Sequence, residues 1–118
     1  MPSDLLKKIK DADKKNLLPV EVPEWGLTVY IKNMTVRERD SFDKEMFNAS
    51  KKGEALIDDF RTKILVRTLC DENGQPLCTP AEFEQLTGLS AKPMEMLFEK
   101  AQKHNGIGKE DIEELAGN

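Results

Sequence analysis

The spacing of apolar residues changes period along this chain, and each change marks an element. Leu5, Leu6, Ile9 and Ala12 recur at helical spacing in an otherwise Lys/Asp segment. Ser3 stands where a cap belongs and Lys14-Lys15-Asn16 ends the run, which predicts a short N-terminal helix within 1–16. Terminal and narrow-striped, it is expected to be loosely held or to dock only on a partner. The period then drops to two. Leu18, Val20 and Val22 alternate with Pro19, Glu21 and Pro23, and Leu27, Val29 and Ile31 alternate with Thr28, Tyr30 and Lys32. Two such runs around Glu24-Trp25-Gly26 predict a β-hairpin over 18–32. Pro19 and Pro23 cannot donate to a ladder, so the first strand is expected at an edge.

The helical period returns at Thr35. Thr35-Val36-Arg37-Glu38 has the form of a capping box, and Phe42, Met46 and Ala49 share a side, predicting a helix over about 36–49. Ile57, Phe60 and Ile64, widened by Leu56, Leu65 and Leu69, predict the most apolar helix over about 54–70. Asp71-Glu72-Asn73-Gly74 reads as a tight turn. Thr79-Pro80 with Glu82 starts a short helix over about 80–87. Ser90 caps another over 91–104, where Met94, Leu97, Phe98 and Ala101 fit one face while Met96 falls off the stripe. Ile112 and Leu115 suggest a last helix over 109–116. The expected architecture is α+β: a mostly helical single domain over 17–118 with a small N-terminal antiparallel hairpin. A groove between the 54–70 and 91–105 helices is expected to accept an apolar helix stripe.

Composition narrows the function classes. The chain has 118 residues, 34% charged and 38% hydrophobic, which suits one small domain rather than a disordered segment. Ile64-Leu65-Val66 is too short an aliphatic run for a membrane span. No apolar stretch suited to a signal peptide follows Met1. The net charge of -4 hides an uneven distribution. Residues 1–33 and 34–70 each carry one base more than their acids, whereas 71–118 hold four bases against ten acids. The first fifteen residues have five lysines but also three aspartates, without the Arg-aromatic interleaving that stacks on bases. A helix-turn-helix drawn around Ser50-Lys51-Lys52-Gly53 would open its second helix on Glu54 and Asp58-Asp59, which repel phosphates. No nucleic-acid partner and no membrane is expected.

Candidate chemistry is sparse. Cys70 and Cys78 lack the spacing of a zinc knuckle or a thioredoxin-type pair and are expected to be reduced structural thiols. With Gly74 at the sixth position of a calcium loop, the first and twelfth become Leu69 and Pro80, so the match fails. The one histidine, His104, has no ligand at metal spacing and is expected to meet helix-terminal carbonyls. Glycine-rich phosphate loops are absent. No catalytic residue, metal or cofactor is expected, and the protein is expected not to be an enzyme. Protein binding remains, with Leu18, Val20, Val22, Trp25, Tyr30 and Met96 as candidate interface residues. The edge strand would join copies by strand addition, Trp25 would anchor, and Met96 would accept variable apolar partners.

The order of these signals resembles a known family. The hairpin through Val22-Pro23-Glu24-Trp25-Gly26 and Val29-Tyr30-Ile31 is followed by Met34-Thr35-Val36-Arg37-Glu38-Arg39. Then come Ile64-Leu65-Val66-Arg67-Thr68-Leu69-Cys70, the turn at 71–74, Pro76-Leu77-Cys78-Thr79, a short acidic helix and a Leu97…Ala101…Asn105 helix. From about Pro19 onward this resembles the tail assembly chaperones of long-tailed, non-contractile (siphovirus-type) bacteriophages. Cys78 departs from the pattern, where an aromatic is expected. The resemblance implies a chaperone that binds and solubilises the tape measure protein in the host cytoplasm before the tail tube polymerises. It also implies absence from the mature virion, homo-oligomerisation, and a longer form of the same gene made by programmed frameshifting. Ala116-Gly117-Asn118 can be encoded by a slippery heptamer. A small phage structural protein of the head–tail connector or tail terminator type, and a small helical transcriptional regulator, are the competing expectations.

Overall fold

The computed structural model describes residues 2–51 and 60–107, without the side chains of Pro2 and of 49–51. Helix α1 (Pro2–Lys14) leads into the hairpin of β1 (Leu18–Val22) and β2 (Leu27–Ile31). Helix α2 (Val36–Lys51) and helix α3 (Phe60–Thr68) follow. The two-residue strand β3 (Leu69–Cys70) comes next, then a 3-10 turn (Pro80–Glu82), the short α4 (Glu84–Thr87) and the long α5 (Ala91–His104). The sheet is antiparallel with strand order β1-β2-β3, so β1 lies at an edge. This is the expected α+β architecture, extended by the third strand.

The hairpin closes where its sequence demands. Val22 pairs with Leu27, and the Val22 carbonyl accepts from the N–H groups of Trp25 and Gly26, both at 3.0 Å. Gly26 takes φ 64°, left-handed backbone that a Cβ would strain. Val20, Val22 and Ile31 then face the helices. They meet Phe42 and Met46 from α2, Ile64 and Leu65 from α3, and Leu97 and Ala101 from α5, all buried. The rings of Phe42 and Phe60 pack edge-on at 5.7 Å, and those of Phe60 and Phe98 at 6.2 Å. Each such pair contributes about 0.5–1.5 kcal/mol beyond its buried area.

Three boundaries differ from expectation. The helix expected over 54–70 stops at Thr68, because Leu69–Cys70 leaves it to pair with Ile31 and Tyr30. The Lys32 N–H donates to the Thr68 carbonyl at 2.8 Å, so the sheet captures carbonyls at the helix end. Its first residues, 54–59, and the expected helix over 109–116 lie outside the described residues. The segment over 80–87 divides into a 3-10 turn and a separate α4. Ser3 sits inside α1 rather than at its cap, since the helix already includes Pro2. By contrast, the box at Thr35 forms as expected. Thr35 N–H donates to Glu38 Oε1 at 2.9 Å, and Glu38 N–H donates to Thr35 Oγ1 at 3.1 Å.

Candidate interaction surface

The six expected interface residues do not form one surface. Val20 and Val22 are 4% and 1% exposed, so their side chains belong to the core. Leu18 and Trp25 are half-buried against that core, and Tyr30 is half-buried on the opposite face of β2, paired with Pro19 and Cys70. Met96, off the main stripe, is half-buried and packs against the core as well. The groove expected between the 54–70 and 91–105 helices falls in part on 54–59, outside the described residues. In the described part, Phe60, Ile64 and Leu97 pack within the core and Phe98 packs against it.

The outer edge of β1 offers little backbone. In an antiparallel pair successive residues point their N–H and C=O groups to alternate sides. Val22 directs its carbonyl inward to the turn, so Val20 and Leu18 also face β2. Pro19, Glu21 and Pro23 then point outward. Two of these three have no N–H, which leaves the Glu21 N–H as the donor along that edge. Proline on an edge strand is a known guard against strand addition.

A different surface stands open. Leu5, Leu6 and Ile9 of α1 are 64%, 52% and 54% exposed. Helical geometry puts them in one stripe, with Lys8 and Lys10 on its two borders and Asp13 closing it toward the C-terminal end. The next exposed contact holds the end of the helix. His104 Nε2 lies 3.2 Å from the Asn16 carbonyl and donates to it in the tautomer that carries the proton there. His104 therefore meets a carbonyl beyond α1, not one at its own helix end. This exposed apolar stripe is a candidate docking face.

Two polar networks hold the body beneath. Asn105 follows α5 and reaches across the chain. Its Oδ1 accepts from the Met34 N–H at 2.7 Å, and its Nδ2 donates to the carbonyls of Lys32 at 3.2 Å and Ala101 at 2.9 Å. No local pattern in the sequence marks such a long-range bond at Asn105. Arg67, 5% exposed, donates to Glu45 at 2.8 Å and to the Lys63 carbonyl at 2.9 Å, and lies over the Phe42 ring. Lys63 Nζ meets the same Glu45 at 3.0 Å. Desolvation pushes the Glu45 carboxyl pKa up, but the hydrogen bonds and charges of Lys63 and Arg67 outweigh it and leave the pKa lowered. Glu38 behaves likewise: burial raises its pKa, and Lys32 and Thr35 bring it below the ordinary value.

The thiols are placed for packing. Burial pushes the Cys70 and Cys78 pKa values up, away from the nucleophilic thiolate, with Asp71 adding to the first and Glu82 to the second; Lys32 opposes the shift at Cys70. Cys70 donates to the Tyr30 carbonyl at 3.5 Å. The turn at 71–74 is fully formed by its own residues. Asp71 Oδ1 accepts from the N–H groups of Asn73 at 2.8 Å and Gln75 at 3.0 Å, and Gly74 takes φ 80°. Among the described residues no cluster of His, Cys, Asp and Glu could hold a metal ion, and no helix is long and apolar enough to cross a membrane. A polar cleft of about 390 Å³ lies between the end of α1 and the 73–75 turn, lined by Lys14, Asn16, Lys32 and Gln75 among others. Comparison with family models, curated proteins and solved structures gives no match to this chain.

Proposed function

We propose that this protein is a tail assembly chaperone of long-tailed, non-contractile bacteriophages. It acts without catalysis, in many copies, holding the tape measure protein soluble in the host cytoplasm, and it is shed before the virion is complete. The observation that carries this reading is the uncovered stripe of Leu5, Leu6 and Ile9 on a lysine-bordered helix. The order of sequence signals from the hairpin to the last helix supports the same family.

The stripe suits such a client in chemistry and strength. A long amphipathic helical client presents apolar ridges, and a helix stripe packs against a ridge of the same kind. Fully burying one leucine-sized side chain is worth about 1.5–3 kcal/mol, and these three are already about half covered. One copy therefore gains only a few kcal/mol, about what association itself costs. Binding becomes tight only when many copies line one client, where each further contact is effectively intramolecular. Weak single contacts also let a growing tube strip the copies away. Charged residues, 34% of the chain, keep such a coat in solution.

Co-expression with the tape measure gene tests the reading. Recovery of that protein in the soluble fraction is the expected result, and a tape measure protein that stays insoluble, with no complex, refutes it. Mass spectrometry of purified virions is expected to find the chain absent. Its presence in particles would favour a structural connector instead.

A further inference from the structure

Helix α1 is open on every side. Each residue from Ser3 to Asn16 is exposed, so no face of the helix is buried against the body. It is held at its C-terminal end. There the N–H groups of Lys15 and Asn16 donate to the carbonyls of Ala12 and Asp13 at 3.2 and 3.1 Å. The half-buried Leu17 and the contact of His104 with the Asn16 carbonyl tie the following turn to the body. A partner can therefore reach the stripe of Leu5, Leu6 and Ile9 unobstructed, and the charges around that stripe decide which partner fits.

Those charges are sorted by face. Helical geometry sets Lys8 beside the stripe on the Leu5 side and Lys10 beside it on the Leu6 side. The two lie only about 3 Å apart along the axis and straddle Ile9, so both borders carry a cation at one level. Asp4 and Asp11 fall on the back of the helix, where Lys7 and Lys14 balance them. Asp13 is the one acid of α1 on the stripe side, about 6 Å along the axis beyond Ile9. Among the described residues no acid of this chain pairs with Lys8 or Lys10, and no cation pairs with Asp13. The front of α1 therefore presents an apolar centre, two free cations at its rims and one free anion at its end.

We infer that the client segment taken by α1 is an amphipathic helix whose apolar stripe is bordered by carboxylates on both sides, with a basic residue one turn further along to meet Asp13. Carboxylates at those borders face Lys8 and Lys10 across the rim of an apolar contact, where the attraction sets register and suppresses partners of the wrong sign. An equally apolar helix with lysine borders sets like charges together on both rims and is rejected. The apolar side chains supply the contact, and the borders select which stretch of the client is held. This rests on α1 being the docking face for the client, and it deepens that reading by stating the chemistry of the segment bound.

Amide NMR titration of the purified full chain with two synthetic helical peptides tests this, since a single contact of this size saturates only near millimolar peptide. Both peptides carry the same leucine stripe. One has glutamate on both borders and a lysine at one end, and the other has the opposite charges. The glutamate-bordered peptide is expected to shift the amides of 5–13 and to half-saturate at a concentration at least about fivefold lower than the other, as suits two exposed ion pairs gained in place of two like-charge pairs. Added salt is expected to narrow the gap. Lys8→Glu/Lys10→Glu is expected to reverse the preference, and Leu6→Ser/Ile9→Ser to abolish the shifts from both peptides. Unchanged amide positions in the hairpin and α5 check that each variant is folded. Equal half-saturation overturns the proposal, as do a lack of shifts with either peptide, shifts centred away from α1, or a preference that survives the lysine reversal. Rescue of the tape measure protein is read separately. Rescue without peptide discrimination sinks the charge pattern alone, and discrimination without rescue sinks the chaperone reading alone.

Discussion

Replacing Asn105 by alanine removes three hydrogen bonds at once and tests how the last helix is joined to the hairpin. Asn105 binds the Met34 N–H, the Lys32 carbonyl and the Ala101 carbonyl, two of them more than seventy residues away in sequence. Each bond contributes about 0.5–1.5 kcal/mol net, and a half-buried N–H left without a partner costs about 1–3 kcal/mol. Water reaches part of this site, so the lower half of the combined range applies. The expected loss is about 2–3 kcal/mol. For a domain of this size that lowers the melting temperature by about 8–20 °C. Urea unfolding followed by the fluorescence of Trp25, the one tryptophan, gives the free energy directly. Asn105→Asp separates the contributions, because it keeps the acceptor for Met34 but turns both donated bonds into oxygen–oxygen repulsion. Asp is expected to destabilise at least as much as alanine. A loss below about 1 kcal/mol for both variants would show that these bonds do not hold the hairpin to the last helix.

Other outcomes follow from the same structure. Leu97→Ala, at a fully buried site, is expected to cost about 3–5 kcal/mol in urea unfolding, whereas Leu6→Ser on the open stripe of α1 is expected to cost under about 0.5 kcal/mol. Gly106→Ala is expected to lose about 1–2 kcal/mol because its φ of 68° is left-handed, while Gly88→Ala, with φ -83° and open space around the added methyl, is expected to be neutral or slightly stabilising. The folded-state pKa values of Glu38 and Glu45 are lowered, so their contribution to stability is present above the unfolded carboxylate pKa and is lost as pH falls through the folded values. An acid titration of stability is therefore expected to flatten in Glu45→Gln, and an unchanged acid limb would count against the Arg67–Glu45–Lys63 network. Both side chains are partly exposed, so the effect is modest and shrinks in salt.

Local signals in the sequence were enough for the elements that local chemistry builds. The Thr35 box, the 71–74 turn, the alternation in 18–32 and the amphipathic stripe of 91–104 each depend on residues within a few positions of one another, and each formed. The end of α3 was not legible, because Leu69 and Cys70 leave the helix for partners in β2 almost forty residues away. The same limit hid Asn105. No local signal marks Arg67 as buried, because its burial depends on Glu45 and Phe42 arriving from α2. For the surface, period-two alternation correctly put Val20 and Val22 on one face, but it does not say whether that face meets core or partner. Here it meets the core. The stripe on α1 was legible, and what the structure added is that the rest of the chain leaves it open.

The most direct test of the central claim is the soluble yield of tape measure protein when it is co-expressed with this chain or with its Leu6→Ser/Ile9→Ser variant. Both changes lie on exposed side chains, so the variant is expected to unfold in urea much as the wild type does. The account predicts that the wild-type chain brings the tape measure protein into the soluble fraction and that the folded variant does not. Equal rescue by both would contradict the assignment of α1 as the docking face, and rescue by neither would contradict the chaperone reading itself.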